Sequence, residues 1–535
     1  MDDRLFKYIF DQNPKMNPVI AEGVAVRQME AAEVRIDRVW RCAAKLFPPG
    51  LEYDTYHVCT PEEEFNHSTK RRSGSVVELS NSDVYMVEFI FKYKGRELIR
   101  HPLYLPFCRE AGTIFIRGSR FTITPVIADR CLSVSKGSVF FPPLRDRIIF
   151  KQFPYQIAID QRQESVYIQR SKIHHHKQDT ETKKLSGSIQ AHHTLAHYLF
   201  ARYGLYETFV RHFDCEPVFF DESAPANERP NPDQYVIVSS AKLQPRAVRT
   251  QHYVPTTISV AIPRDKWSEG VKSVVAAFFY VTDLFPDRVV LEDIFEPRLW
   301  RTLFGVIIFG ASSGEGKILE DFMTHMSSLD EYIDEITRED LHSDNVPVDN
   351  IYELFVHIIE EMPAMLANPD VANMEGKRLV TWKYVLHDIV RAIFHLTYQL
   401  SPKNRTLQEQ DLKKAIGRGI SQEMIMKING AGHPEVTNIS SPSDSIVTKF
   451  TSAAIPQSRS GNRGAHGDHD RTFTDPSMHL HPSNLACGSF LNPPKSDPAR
   501  ASKLNMYGQL GEGDTMEVHP KFKPILNDLQ TKLIR

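Results

Sequence analysis

Residues Phe309 to Leu319 read FGASSGEGKIL and follow the apolar run Gly305-Val306-Ile307-Ile308. An apolar run, a Gly/Ser-rich loop, a lysine and a helical pattern outline a loop whose backbone N–H groups cradle nucleotide phosphates. That chemistry demands a fixed count: a glycine five residues before the Gly-Lys pair, and a Ser or Thr after the lysine to hold magnesium. Ala311 occupies the first place and Ile318 the second, while Gly310 comes one residue too early. The spacing therefore predicts a loop that opens the helix behind it, with Lys317 outside any nucleotide chemistry. A P-loop-like or metal-dependent hydrolase remains an alternative reading of the chain, as does a non-enzymatic structural or interaction protein.

Three further groupings could do chemistry. His193 and His197 (HTLAH) stand four apart and can share a helix face, but Thr194 replaces the glutamate that a metalloprotease needs as general base. In His466-Gly467-Asp468-His469-Asp470 the alternation resembles a hydrolase metal signature, yet Gly464 stands where a further histidine is wanted, and Arg463 and Arg471 oppose a cation. The histidines at 174–176 read as a solvated loop. Arg459, Arg463 and Arg471, with Lys449 upstream, lie in or near the loop SRSGNRGAHGDHDR, where glycines permit close approach to a phosphate backbone. On spacing alone these cations fit phosphate contact and a flexible surface loop equally well.

The elements that would position such groups come from a chain of 535 residues, 41% hydrophobic and 24% charged, with a formal net charge of -3. Length allows several domains, and bulk charge gives no general attraction to nucleic acid or anionic membrane. The start, MDDRLFKYIF, is acidic where a secretory signal is basic. The longest apolar stretch, Val274 to Val281, is too short to span a bilayer. Six scattered cysteines form no zinc knuckle and are expected to be reduced, half-buried thiols.

Ala25 to Phe47 reads as one helix stopped by Pro48-Pro49-Gly50. Val84 to Tyr93 and Thr113 to Thr124 favour strand, the second with a hairpin turn at Arg117-Gly118-Ser119-Arg120. Residues 171–188 read as an exposed loop. Apolar residues then recur at helical spacing in three segments: Leu319 to Ile333, Ile351 to Met362 and Trp382 to Phe394. Between Glu320 and Glu361 thirteen acidic residues face one basic, Arg338, which predicts solvated helix faces and a surface that repels DNA. Residues 441–500 are dense in Ser, Pro, Gly, His and Arg, a composition ordered by other surfaces if at all.

Four separated segments, in order, resemble the β subunit of multisubunit DNA-dependent RNA polymerases. Leu103 to Phe121 (LYLPFCREAGTIFIRGSRF) resembles a proline-containing strand before a Gly-Thr-Phe-Ile hairpin. Gly305 to Phe322 is similar to the lobe's apolar run, turn and acidic helix. Gly376-Lys377-Arg378-Leu379, helix 382–394 and Leu412 to Gly419 resemble the return from lobe to protrusion. The most specific match is Ser445 to Ala454, the Arg/Gly loop, His481-Pro482-Ser483-Asn484, Asn492-Pro493-Pro494 and Leu504-Asn505-Met506-Tyr507, which follow the fork region. There are departures: the Thr-Pro-Glu-Gly signature lacks its Glu and Gly at Pro494-Lys495-Ser496, Asn484 replaces a histidine, and a Cys-Pro pair is reduced to Cys487.

The resemblance implies an α+β multidomain fold of mixed helices and antiparallel sheets: protrusion at 1–155 and 371–440, lobe at 156–370, fork at 441–535. The family's second half, with its two lysines on nucleotide and RNA, has no counterpart in 508–535, so the chain resembles the N-terminal half of a split β subunit, as in giant (jumbo) bacteriophages. The implied role is one jaw of the DNA channel plus the fork, in an enzyme whose Mg2+ is held by the partner β′ subunit. This chain would supply no catalytic residue; Lys449, Arg459, Arg463, Arg471, Lys495 and Arg500 would meet nucleic acid. Implied partners are the β C-terminal half, β′ chains, template DNA, nascent RNA and a promoter-specificity subunit, with no membrane. The implied place is the cytoplasm of the infected bacterium, or the virion.

Overall fold

The computed structural model describes residues 23–71, 81–173, 192–241, 258–310, 314–367, 373–400, 408–425, 481–488, 501–505 and 508–533, a few positions within those spans apart. It also describes Val19 and the strands at 184–185, 189–190, 436–438 and 452–454. The chain divides into two units, Met1–Arg130 with Asp370–Arg535, and Cys131–Pro369. Helices and antiparallel sheets mix in both, the α+β class expected from the sequence.

In the first unit, strands Leu51–Val58, Val84–Tyr93 and Arg96–Pro106 form an antiparallel sheet. Lys94 and Gly95 turn the second hairpin with φ of 50° and 77°, the left-handed pair of a type I′ turn. Period-2 alternation sends Phe89 and Phe91 to one face, where fully buried Trp40 meets the Phe91 ring at 4.9 Å. Trp40 belongs to helix Ala32–Ala44, separated from helix Val24–Met29 at Glu30-Ala31. The single helix expected over 25–47 is thus two, and Ala31 takes a left-handed φ of 53° at the break. Local sequence gives no breaker there. Strands Thr113–Ile116 and Ser119–Ile123 form the expected hairpin, turned by Arg117 and Gly118 at φ of 50° and 79°.

The second unit is built on a seven-stranded antiparallel sheet among the described residues. Its longest strand, Ile148–Ile159, pairs along its whole length with Arg162–Ile173. Its other edge is shared by Ser138–Phe141 and Tyr235–Ser240. The strand therefore runs on to Ile173, where a loop was expected from Ser171, and Lys184–Leu185 pairs with Ile189–Gln190. Helix Glu269–Leu284 is buried nearly all round, as its apolar run demands, and Ser268 caps it by accepting from the Val271 N–H. Helix Ile351–Ala367 buries the expected face, Ile351, Leu354, Phe355, Ile358, Ile359 and Met362.

Helices Pro297–Phe309 and Glu315–Asp330 approach closely at Gly305. A Cβ there would lie 2.6 Å from Ile318 Cγ2 and 3.3 Å from the Ile318 carbonyl oxygen. Gly305→Ala is expected to cost about 1–3 kcal/mol in overpacking, only partly offset by a helix-propensity gain of about 1 kcal/mol. Adding Ile318→Leu, which deletes the Cγ2 methyl at constant volume, should recover part of that loss. Denaturant midpoints of the four members of the cycle check this; strictly additive losses would refute the contact.

Candidate nucleic-acid interface

Described parts of several segments that resemble the polymerase β subunit meet in the first unit. Strand Arg378–Val380 pairs with Val126–Ala128, whose Val126 lies parallel to Ala454. Strand Ser452–Ala454 pairs in turn with Ala501–Lys503. One four-stranded sheet thus draws on stretches from 126 to 503. Beside it in sequence, Val436–Asn438 extends the hairpin at Ser119–Ile123. The short helix Asn484–Cys487 is tied down from two sides. Ser483 Oγ accepts from the Met374 N–H at 2.8 Å, and the Asn505 N–H donates to the Cys487 carbonyl at 3.0 Å. Further along, the Met516 N–H donates to the Lys377 carbonyl at 2.7 Å and the Gly376 N–H to the Met516 carbonyl at 2.9 Å.

A hydrogen-bonded knot explains why these segments stay together. Gln28 is 6% exposed. Its Nε2 donates to the Leu379 carbonyl at 2.6 Å and to Asp514 Oδ2 at 2.7 Å, while its Oε1 accepts from the Thr381 N–H at 2.5 Å. Arg27 pairs with the same Asp514. The break at Ala31 lets one short helix aim Gln28 into this knot while the next buries Trp40. The Asp83 carboxylate anchors the hairpin at 113–123 similarly, accepting from Arg109 Nη2 at 2.6 Å and from the Phe115 N–H at 2.8 Å.

Cations gather on the same unit. The Arg35 guanidinium lies 5.4 Å from the Trp382 ring centre, and Lys383 Nζ lies 5.6 Å from it. Burial, then Arg38 and Arg27 nearby, hold Arg35 below the usual arginine range, and among the described residues its buried Nε has no hydrogen-bond partner. A guanidinium crowded by like charge is relieved by an anion. The chemistry such a set supports is electrostatic: attraction and positioning of phosphate, without reading bases. Sequence reading passed over these residues. Arg35 and Arg38 stand three apart on one helix, a legible signal, but the meeting of Arg35 with Lys383 on the Trp382 ring exists only in space.

The other motifs find different places. The run Gly305–Ile308 lies inside helix Pro297–Phe309, so a helix, not a strand, precedes the Gly/Ser loop. That corrects the P-loop-like alternative, since a phosphate loop joins a strand to a helix. Lys317 is exposed on the first turn of helix Glu315–Asp330. In HTLAH, Thr194 caps helix Leu195–Tyr203 by accepting from the His197 N–H at 3.3 Å. His197 is fully buried, stacked on Phe304 with ring centres 4.3 Å apart, and its Nε2 meets the Trp300 carbonyl oxygen at 3.1 Å. Burial pushes its pKa down to about 3, so it is a neutral core side chain. Lys449, Arg459, Arg463, Arg471, Lys495 and Arg500, like 174–176 and 466–470, lie outside the described residues. The described strands Ser452–Ala454 and Ala501–Lys503 flank all of those cations but Lys449 in sequence. All six cysteines are free thiols, four of them buried. No helix among the described residues is long and apolar enough to cross a membrane.

A protein family described as "Non-virion RNA polymerase subunit" matches residues 4–530 of the chain. No curated protein matches it.

Proposed function

The chain belongs to the non-virion RNA polymerase subunit family, and from that premise we propose that it serves as the N-terminal half of a split β subunit. The observation that bears most on this reading is the four-stranded sheet that unites 126–128, 378–380, 452–454 and 501–503. Those strands lie in or beside the segments that resemble the β subunit, and colinear resemblance alone does not require them to pair. In the same reading 156–370 is the lobe, 1–155 and 371–440 the protrusion, and 441–535 the fork. The departure of the chain from the first unit at Arg130 and its return at Asp370 support an inserted lobe, one that starts at 131 rather than 156 because strand Ile148–Ile159 belongs to its sheet.

Mechanistically, this chain builds one jaw of the DNA channel and sets the fork beside the active site. Nucleotidyl transfer then belongs to the assembly, with Mg2+ held by carboxylates of the partner β′ subunit. The cations at 449, 459, 463, 471, 495 and 500, joined by Arg35, Arg38 and Lys383, position phosphate backbones. The partners are the β C-terminal half, β′ chains, template DNA, nascent RNA and a promoter-specificity subunit. A non-virion polymerase works in the cytoplasm of the infected bacterium, which favours that place over the virion.

The test is reconstitution. Tagged chain is expected to co-purify with chains bearing the β C-terminal half and the β′ aspartates, and the complex to transcribe a DNA template. Arg463→Ala with Arg471→Ala should leave assembly intact and reduce elongation by an order of magnitude or so, about 1–2 kcal/mol of lost contacts. Wild-type elongation by that double variant removes the two arginines from the interface. Absence of such partners overturns the β assignment itself.

A further inference from the structure

We propose that His57, Cys59 and Glu63 form a binding site for a thiophilic divalent cation, zinc foremost, on the sheet face opposite Trp40. In the ladder His57 lies opposite Glu88, and the Cys59 N–H donates to the Met86 carbonyl at 2.9 Å. Residues two apart share a face, so His57 and Cys59 point away from the side that buries Phe89. Helix Pro61–Arg71 follows immediately, and its start is fixed by a capping box. The Thr60 N–H donates to Glu63 Oε2 at 2.8 Å, and the Glu63 N–H to Thr60 Oγ1 at 3.3 Å. The box turns Glu63 back over the strand end, where His57 Nε2 lies 3.0 Å from its Oε2.

One nitrogen, one sulfur and one carboxylate oxygen then lie within 4.8 Å of one another. Metal–ligand bonds of about 2.0–2.3 Å place the ligands of a tetrahedral zinc site about 3.3–3.8 Å apart, so the widest pair would close by about 1 Å on binding. Capping alone explains Thr60 and Glu63; it does not explain why a histidine and a thiol converge on the same carboxylate. The surroundings favour a cation too. Glu88, 6% exposed, faces His67 Nε2 at 2.8 Å and Arg100 at 3.7 Å. Together with Glu63 and Glu64 it sets carboxylates around the thiol. A divalent cation bound there would take the sulfur as thiolate, its proton leaving to solvent. Cys59 is buried while His57 and Glu63 are about half exposed, so the sulfur anchors the ion from within and the other two close over it. Three protein ligands leave a fourth position for water. Bound there, the cation would staple the end of the strand to the start of the helix.

The site stands independently of the polymerase reading and its test leaves that reading untouched. Full-length chain stripped with chelator is titrated with Co2+. The expected result is one equivalent bound, with thiolate-to-cobalt charge-transfer absorption that Zn2+ abolishes by displacement. Cys59→Ser, nearly isosteric and checked for folding by circular dichroism, should remove the band. His57→Ala should weaken binding at least as much as the roughly tenfold typical of a lost outer-shell partner. Zn2+ should raise the melting temperature of the wild type but not of Cys59→Ser. Absence of the charge-transfer band in the wild type, or its survival in Cys59→Ser, overturns the proposal.

Discussion

Acidifying the protein from pH 7 to pH 5 is expected to destabilise the unit Cys131–Pro369, with the fully buried His197 as a main cause. This imidazole is fully buried among Phe200, Trp300 and Phe304. Its folded pKa of about 3 lies far below the unfolded value of 6.5. Below pH 6.5 the unfolded chain therefore takes up a proton that the folded chain refuses, and stability falls as pH falls until about pH 3. The slope is one proton, so by pH 5 the loss is about 2 kcal/mol from this residue alone. His192, held down to about 4 by burial and then by Arg170, acts in the same direction over a narrower range. His212 and His357 are also lowered by burial. Glu360 works the other way, because burial raises its pKa and its protonation favours the folded state. Urea midpoints at pH 7, 6 and 5, read by hydrogen exchange in helix Pro297–Phe309, measure the slope. His197→Gln keeps a donor toward the Trp300 carbonyl but loses the stacking on Phe304. It should start lower at pH 7 and fall less steeply, and equal slopes for the two proteins would refute the assignment.

Much of this was legible wherever a periodic face meets a core. The helical period places Phe322, Met326 and Leu329, which are buried in helix Glu315–Asp330, whereas Met323 on the same expected face is 40% exposed and the helix ends before Ile333. It does the same for Ile389, Val390, Ile393 and Phe394 in helix His387–Leu400, although the helix expected from Trp382 is interrupted at Leu386. The turn at Arg117-Gly118 shows in the sequence because its chemistry is local. What escaped depends on distant residues. A short apolar run such as Gly305–Ile308 suits a buried helix or a strand equally, and only its partners decide. The break at Ala31 has no glycine or proline to announce it. The four-stranded sheet is made of strands of three residues each, too short to show alternation, and they come from four distant places. The Arg/Gly loop announced itself as a candidate by composition, whereas Arg35 and Lys383 draw notice only by meeting at the Trp382 ring.

Gln28→Leu is expected to have the greatest effect on the first unit, because it removes one side chain that satisfies groups in two other segments. Leucine fits the space but leaves the Thr381 N–H and the Leu379 carbonyl without this partner, and strips Asp514 of a donor. Each buried orphan costs about 1–3 kcal/mol, so the sum is on the order of 4 kcal/mol even if one group finds water. Asp514→Asn should cost less, since its amide oxygen still accepts from Gln28 Nε2 and only the charge facing Arg27 is lost. Arg27→Ala should cost least: its side chain is 52% exposed, and an ion pair with one end in water contributes little. Hydrogen exchange at 378–381 and 512–517, measured in all three variants, should follow that order. If Arg27→Ala opened those segments as widely as Gln28→Leu, charge and not amide hydrogen bonding would hold the knot. The ranking also has a functional edge. The strand at 378–380 joins the sheet that receives 452–454 and 501–503, on either side of the Arg/Gly loop. A loosened knot should therefore impair transcription by the reconstituted complex, while removing loop arginines should impair it with exchange at 378–381 unchanged. Two variants with the same loss of RNA synthesis would then be separated by where the chain opens.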